Sequence, residues 1–380
     1  MNDPQLSWVE QDEQRSARWH SESGMPPPGR VQVADDTMNA DTAYRLACEG
    51  TALLWRGDFQ NARMLLQAMA RRAVPKPKKA PRKGAPVVEV APAQAFHLHR
   101  QYQSQRARTL GMLLIPFGDD FAIPLRRAPD VSEACTEAYG PPQGPFVASL
   151  RELLGLIGAH EWRRKGVDVE ALAARIYPHY GVYSPIRGEY VELVAKAPLP
   201  AKTLAFDIGT GTGVLAALLA RRGVAKVIAT DQSQRALACA QDNMARLGFG
   251  KKVEVLEADL FPPGRAPLIV CNPPWLPARA GSPLEQTVYD TDSRMLKGFL
   301  GGLAEHLEPG GEGWLILSDL AEHLGLRTRE FLLAEFEKAG LKVVHRMDVR
   351  PHHPKAGDKE DPLHAARAAE VTSLWRLAAK

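Results

Sequence analysis

Paired cysteines are what this chain of 380 residues most plainly lacks: Cys48, Cys135, Cys239 and Cys271 are scattered, and no two form a CxxC pair. That excludes a disulfide framework or a cysteine-built zinc site and fits a reducing compartment. No apolar run reaches the length that a membrane-spanning helix needs. Met1-Asn2-Asp3-Pro4 offers no basic stretch ahead of an apolar core, so no secretory signal is expected and a cytoplasmic location is. There is no internal repeat. His352-His353 has no third ligand nearby, and no metal is expected. The dinucleotide fingerprint GxGxxG is missing too, because after Gly209 and Gly211 the position that needs glycine holds Val214.

Hydrophobic residues make up 45% and charged residues 24%, which is a globular composition with room for two or three domains. The net charge of +4 hides an asymmetry. Residues 1–37 carry 3 basic against 7 acidic side chains, whereas residues 38–118 carry 13 against 4. The positive charge sits outside the segment that bears the chemical motifs.

Residues 1–37 are acidic and end in Gly24-Met25-Pro26-Pro27-Pro28-Gly29, a composition that predicts disorder. Over 38–74, Leu46, Leu53, Leu54, Leu65, Leu66 and Met69 recur at helical spacing, with a break at Gly57-Asp58. A basic, proline-rich linker follows over 75–86 (Pro75-Lys76-Pro77-Lys78-Lys79-Ala80-Pro81-Arg82-Lys83-Gly84), suited to a phosphate backbone and equally to water. Residues 87–178 read as an accessory, substrate-recognition domain with short strands at Met112–Ile115 and Phe121–Ile123. Its helices are expected over Pro145–Arg164 and over Asp168–Ile176, the latter capped by Asp168. From 179 to 380 strands and helices alternate. Strands are expected at 203–206, 226–230, 253–257, 268–270, 314–317, 342–349 and 371–377, and helices at 214–222, 234–247, 292–306 and 328–339. This is an α/β pattern with a mostly parallel, Rossmann-like sheet. A long connection stands before the last strand in place of a helix, so that strand should be antiparallel.

Four features fall at strand ends in this half. Asp207-Ile208-Gly209-Thr210-Gly211-Thr212-Gly213 is a glycine-rich strand-to-helix turn, which brings backbone close to a ligand and aims helix N–H groups at it. Asp231, followed by Gln232, ends the second strand, where a carboxylate can accept both ribose hydroxyls; Asp259-Leu260 closes the third, where a carboxylate can receive an adenine amine. Asn272-Pro273-Pro274-Trp275 stops the buried run Leu268-Ile269-Val270, because two prolines cannot continue a strand. Open α/β sheets bind their ligands at such carboxyl ends.

Residues 180–380 therefore resemble a class I S-adenosylmethionine-dependent methyltransferase of the group with an Asn-Pro-Pro-aromatic motif (small-domain and release-factor glutamine methyltransferases). The resemblance implies S-adenosylmethionine as cofactor, with Asp207 and the turn Gly209, Thr210, Gly211 and Gly213 at the methionine moiety, Asp231 and Gln232 at the ribose, and Asp259 and Leu260 at the adenine. It implies catalysis by Asn272, Pro273, Pro274 and Trp275, with Asn272 also counted among the cofactor-binding residues. The Asn272 side-chain oxygen and the Pro273 carbonyl accept hydrogen bonds from a planar –NH2 group, and Trp275 stacks on it. Positioning of this kind recovers about 7–11 kcal/mol of a barrier.

The acceptors implied by the resemblance are amines of RNA or DNA bases or the glutamine amide of a release factor. The basic segment favours a nucleic-acid base. Two features depart from the release-factor pattern: Trp275 replaces its usual tyrosine, and Ile186-Arg187-Gly188-Glu189-Tyr190 matches it poorly. Protein methylation and a non-catalytic, cofactor-binding adaptor are the alternatives. Tyr183 and Arg187 are candidate pocket residues, and Cys271 reads as a strand residue and no nucleophile. Val288-Tyr289-Asp290-Thr291-Asp292 reads as a substrate loop or a helix cap, with Asp292 expected to cap the helix after the motif.

Overall fold

The structure, a computed structural model, describes residues 4–74, 90–280, 285, 288–351, 358 and 361–380. The linker at 75–86, the residues Val87-Val88-Glu89 and the pair His352-His353 lie outside the described residues. The chain forms two compact units, one of residues up to 90 together with 97–161, the other of 91–96 together with 162–380.

The first unit is built on six strands, β1 (Gln5–Glu10), β2 (Glu13–Trp19), β3 (Arg30–Ala34), β4 (Thr51–Trp55), β5 (Leu113–Phe117) and β6 (Phe146–Ser149), in the order β1-β2-β6-β5-β4-β3. Alternate residues along β4 enter different cores. Leu53 and Trp55 pack on helices Ala40–Cys48 and Phe59–Arg72, while Ala52 and Leu54 join Leu6, Trp8 and Trp19 on the other face. The sheet rolls so that β1 touches β3, which covers that second face. Asn39 and Asp58 cap the two helices, their side chains accepting from the backbone N–H of Thr42 and Gln60.

This overturns the disorder expected for residues 1–37; the amino-terminal region does carry more helix than strand, but its helices pack on a six-stranded sheet that was not expected. Net acidity hid a short period-two pattern, in which Leu6 and Trp8 are buried and their neighbours exposed. The β1–β2 hairpin turns on Gln11 and Asp12 at φ of 53° and 61°, without the glycine that marks such turns. Thr51–Trp55, placed within the helical segment, is a strand; a short, continuous apolar run has no period to distinguish the two. Phe121–Ile123 is a loop with Phe121 at φ 65°, and the first residues of Pro145–Arg164 are β6, ahead of a helix over Leu150–Lys165.

In the second unit Asp168 caps nothing. Residues Asp168–Ile176, expected as a helix, form the hairpin of β7 (Val167–Val169) and β8 (Ala174–Ile176) around a single 3-10 turn, with Asp168 paired to Arg175 at 2.8 Å. Buried Val169, Leu172 and Ile176 fall three and four apart, which mimics a helix face. The main sheet has β9 (Leu204–Ile208), β10 (Lys226–Asp231), β11 (Val253–Glu257), β12 (Ala266–Cys271), β13 (Leu307–Ser318), β14 (Leu341–Val349) and β15 (Thr372–Ala379). Their order is β11-β10-β9-β12-β13-β15-β14, with only β15 reversed, pairing antiparallel to both β13 and β14. One face packs under the helices Glu189–Lys196 and Val214–Arg221, the other under Arg294–His306 and Arg329–Lys338. Among the described residues no helix is long and apolar enough to cross a membrane.

Candidate active site

The strand order reverses between β9 and β12, and the carboxyl ends of β9, β10 and β12 open there into a cavity of about 620 Å³. That volume falls within the roughly 300–1,000 Å³ of small-ligand sites. Asp207, Gly209, Thr210, Gly211, Asp231, Gln232, Asp259 and Leu260 all line it, as do Asn272, Pro273, Pro274 and Trp275. Gly213 is the one member of the expected set that does not. It stands behind the wall as the N-cap of helix Val214–Arg221, in the left-handed conformation at φ 79°.

The turn after β9 is braced from below. Asp207, 1% exposed, accepts from Thr210 Oγ1 at 2.6 Å and from the Ala216 N–H at 3.0 Å through one carboxylate oxygen. Burial pushes its carboxyl up to about 6, against the pull of those two hydrogen bonds, with the nearby Asp231 adding to the rise. Asp231 holds the turn from the side, one oxygen accepting from Gly211 N at 3.0 Å and the other from Ser233 N at 2.9 Å. Each of those oxygens keeps a lone pair for a further donor. Gln232 donates to Asp259, whose carboxylate also lies 3.5 Å from Arg294. A Cβ built on Gly211 would meet nothing within 4 Å, so the turn presents bare backbone to the cavity. Bare N–H groups at a helix start, flanked by two carboxylates that can accept from hydroxyls and amines, fit a ligand carrying a carboxylate, a ribose and an adenine.

At the other end, the Asn272 side-chain oxygen accepts from Trp275 Nε1 at 2.9 Å. The Arg187 guanidinium carbon lies 4.8 Å from the centre of the Trp275 ring. Tyr183 joins them on the wall; burial raises its phenol, while the Arg187 charge pulls the other way. Cys271 is fully buried in β12, its thiol pushed well above the ordinary range by burial, which suits a strand residue and no nucleophile.

Asp290, and not Asp292, caps the helix after the motif: its two oxygens accept from Met295 N at 3.0 Å and Leu296 N at 3.1 Å. Asp292 is exposed at φ 56° and bonds to nothing there. The cap lies two residues upstream because a 3-10 turn over Thr291–Ser293 separates it from the helix. Tyr289, in the run read as a substrate loop or a helix cap, lines the cavity; sequence reasoning missed Arg294 and Arg367 on its wall and Glu370 behind it, none of which belongs to a recognisable pattern.

A family model, the methyltransferase small domain, matches residues 177–342. The chain is 35% identical to a release factor glutamine methyltransferase of Geobacter sulfurreducens, over 39% of this chain and 54% of that one. It is 31% identical to a tRNA1(Val) (adenine(37)-N6)-methyltransferase of Bacteroides fragilis, over 38% of this chain and 67% of that one. A ribosomal protein L11 methyltransferase of Pelotomaculum thermopropionicum is 39% identical over 22% of this chain and 27% of its own. The first curated relatives are matched over about half their length or less. A solved methyltransferase from Pyrococcus furiosus is 18% identical and covers 60% of this chain and 99% of that one, at a TM-score of 0.39, too low to weigh.

Proposed function

We propose that this chain, which belongs to the methyltransferase small-domain family of S-adenosylmethionine-dependent enzymes, methylates a planar amino nitrogen, a nucleic-acid base being the favoured acceptor. The observation that carries the reading is the placing of Asn272-Pro273-Pro274-Trp275 on the same cavity wall as the glycine turn and the acidic residues of β9 and β10. The bound cofactor supplies an electrophilic methyl group. The chain supplies position. Asp207 and Asp231 hold the glycine turn in shape for the methionine end, Asp231 and Gln232 take the ribose, and Asp259 and Leu260 take the adenine. Asn272 Oδ1 and the Pro273 carbonyl accept the two amine hydrogens, which turns the nitrogen lone pair toward the methyl. Trp275 stacks on the acceptor, Pro274 keeps the turn rigid, and the walls exclude water. We assign this chemistry to residues 179–380, in a cytoplasmic protein; four cysteines free of disulfides agree with that compartment.

A nucleic-acid base is favoured because Trp275 offers an aromatic platform and because helix Pro92–Gly111 carries Arg100, Arg106 and Arg108 with no acidic residue. The glutamine amide of a protein is the second reading, favoured by the release-factor relatives. Transfer of labelled methyl from S-adenosylmethionine to fractionated cell extract, treated with nuclease or protease, separates them. Label lost to nuclease supports the base, and label lost only to protease replaces it with the amide. Asn272→Ala should lower transfer at least about a hundredfold, as loss of a transition-state hydrogen bond does, while the chain still binds cofactor. Unchanged cell function in that variant would make the chain an adaptor.

A further inference from the structure

Arg187 is the centre of a buried cluster that no motif foretells. Its Nε donates to Glu189 at 2.7 Å and its Nη2 to Glu370 at 3.0 Å, with the three side chains 17%, 5% and 4% exposed. Glu370 also accepts from Ser318 Oγ at 2.6 Å, and Ser318 Oγ accepts from the backbone N–H of Leu320. The segment that carries Glu370 is pinned to the end of β13 a second time, by Val371 N donating to Asp319 at 2.7 Å. The guanidinium is thus fixed from two directions, by residues 2 and 183 positions away in sequence. It faces the Trp275 ring, and Trp275 in turn donates to Asn272.

That hydrogen bond matters because an asparagine amide is ambiguous: its oxygen and nitrogen ends have nearly the same shape, and only one can accept an amine hydrogen. The indole N–H can pair only with the oxygen end. It takes one lone pair of Oδ1, fixes which end faces the ring, and leaves the second lone pair for the acceptor. A tyrosine or phenylalanine in place of Trp275 has no N–H there. Burying two carboxylates and one guanidinium is costly unless each is held, and a planar cation stacks on an indole face as an ammonium cannot.

We propose that Arg187 is a positioning residue for methyl transfer: clamped by Glu189 and Glu370, it backs the Trp275 ring so that the indole N–H holds Asn272 Oδ1 in place to receive the acceptor amine. The role rests on the reading of Asn272 as the residue that receives the amine. One face of Trp275 belongs to Arg187, so the acceptor has the other.

Full-length protein labelled with 15N-tryptophan tests the clamp without any acceptor. Its seven tryptophans give seven indole signals, and Trp275→Phe identifies the one from Trp275. Arg187→Lys keeps the charge and loses the plane. It should speed solvent exchange of the Trp275 indole proton about tenfold, the scale of one hydrogen bond, and leave the other six signals within about twofold. Glu370→Gln, which leaves Arg187 paired with Glu189, should act in the same direction and less, and decides the matter if Arg187→Lys does not fold. S-adenosylmethionine titration within about threefold of the unaltered chain certifies the fold. On the fraction that accepts methyl, Arg187→Lys should lower kcat about tenfold at nearly constant KM, and should lower it no further in a Trp275→Phe background. Unchanged indole exchange, unchanged kcat or additive losses overturn the proposal. An unaltered chain that transfers no methyl sinks the proposed function instead, and indole exchange still decides the clamp.

Discussion

Two alanine substitutions two residues apart should fail in opposite ways. Gly211 and Gly213 both have positive φ, 55° and 79°. A side chain at either costs about 1–2 kcal/mol in backbone conformation. There the likeness ends. A Cβ at Gly211, a residue of the cavity wall, meets nothing within 4 Å, whereas one at Gly213 comes within 2.9 Å of Met244 Cε and 3.3 Å of Ala240 Cα. The Met244 tip can move, but the Ala240 backbone moves only with helix Gln234–Arg246, and overpacking of this kind adds about 1–3 kcal/mol. Gly211→Ala should therefore lower Tm by about 3–6 °C, and Gly213→Ala by about twice that. Affinity for S-adenosylmethionine, titrated calorimetrically well below either Tm, should invert the ranking. Gly211→Ala puts a methyl group where the ligand must lie and loses affinity at least about tenfold, while Gly213→Ala stays within about threefold. Full affinity in Gly211→Ala would show that the ligand does not lie on this turn, and the cofactor assignment of the whole glycine run would go with it.

The helix cap gives a similar contrast: Asp290→Ala should cost about 1–2 kcal/mol in urea denaturation, while Asp292→Gly, at a residue with positive φ, should cost nothing. Equal losses would refute the placing of the cap. Asp207 predicts a pH dependence. Its carboxyl titrates at about 6 when folded, so between pH 4 and 6 the folded chain holds a proton that the unfolded chain has released. The group's contribution to stability then falls as pH rises through that window, by about 3 kcal/mol, and is level above it. Urea midpoints should show the stability gap moving in favour of Asp207→Asn as pH rises from 4 to 7; a gap independent of pH would refute it.

The parallel sheet was legible because its central strands β9 and β12 are buried almost throughout, and strands and helices alternate along the chain around them. The glycine turn, Asp231 and Asn272 were legible because each stands at the end of such a strand. Of the amino-terminal sheet only β5 was, expected at Met112–Ile115; the other strands are short, the hairpin lacks glycine and the charge reads as disorder. Within the site, Asp290 was displaced by one irregular turn that no residue announces. Arg187 was visible as a candidate, but its partner Glu370 lies 183 positions away. An isolated glutamate in a loop carries no sign of where it will fold.

The reversed strand has a consequence for how the chain can be made and cut. Among the described residues β14 sits at the edge of its sheet and pairs only with β15, which follows it in sequence and inserts between β14 and β13. During synthesis β14 emerges with no partner and waits, both edges open, until β15 leaves the ribosome. A chain ending at residue 371 would accordingly lose two strands from the sheet, the missing one and the orphaned one, and would expose the side of β13 on which Leu374, Trp375 and Leu377 close the core. Small losses at that end are expected to show as aggregation before they show as lost chemistry.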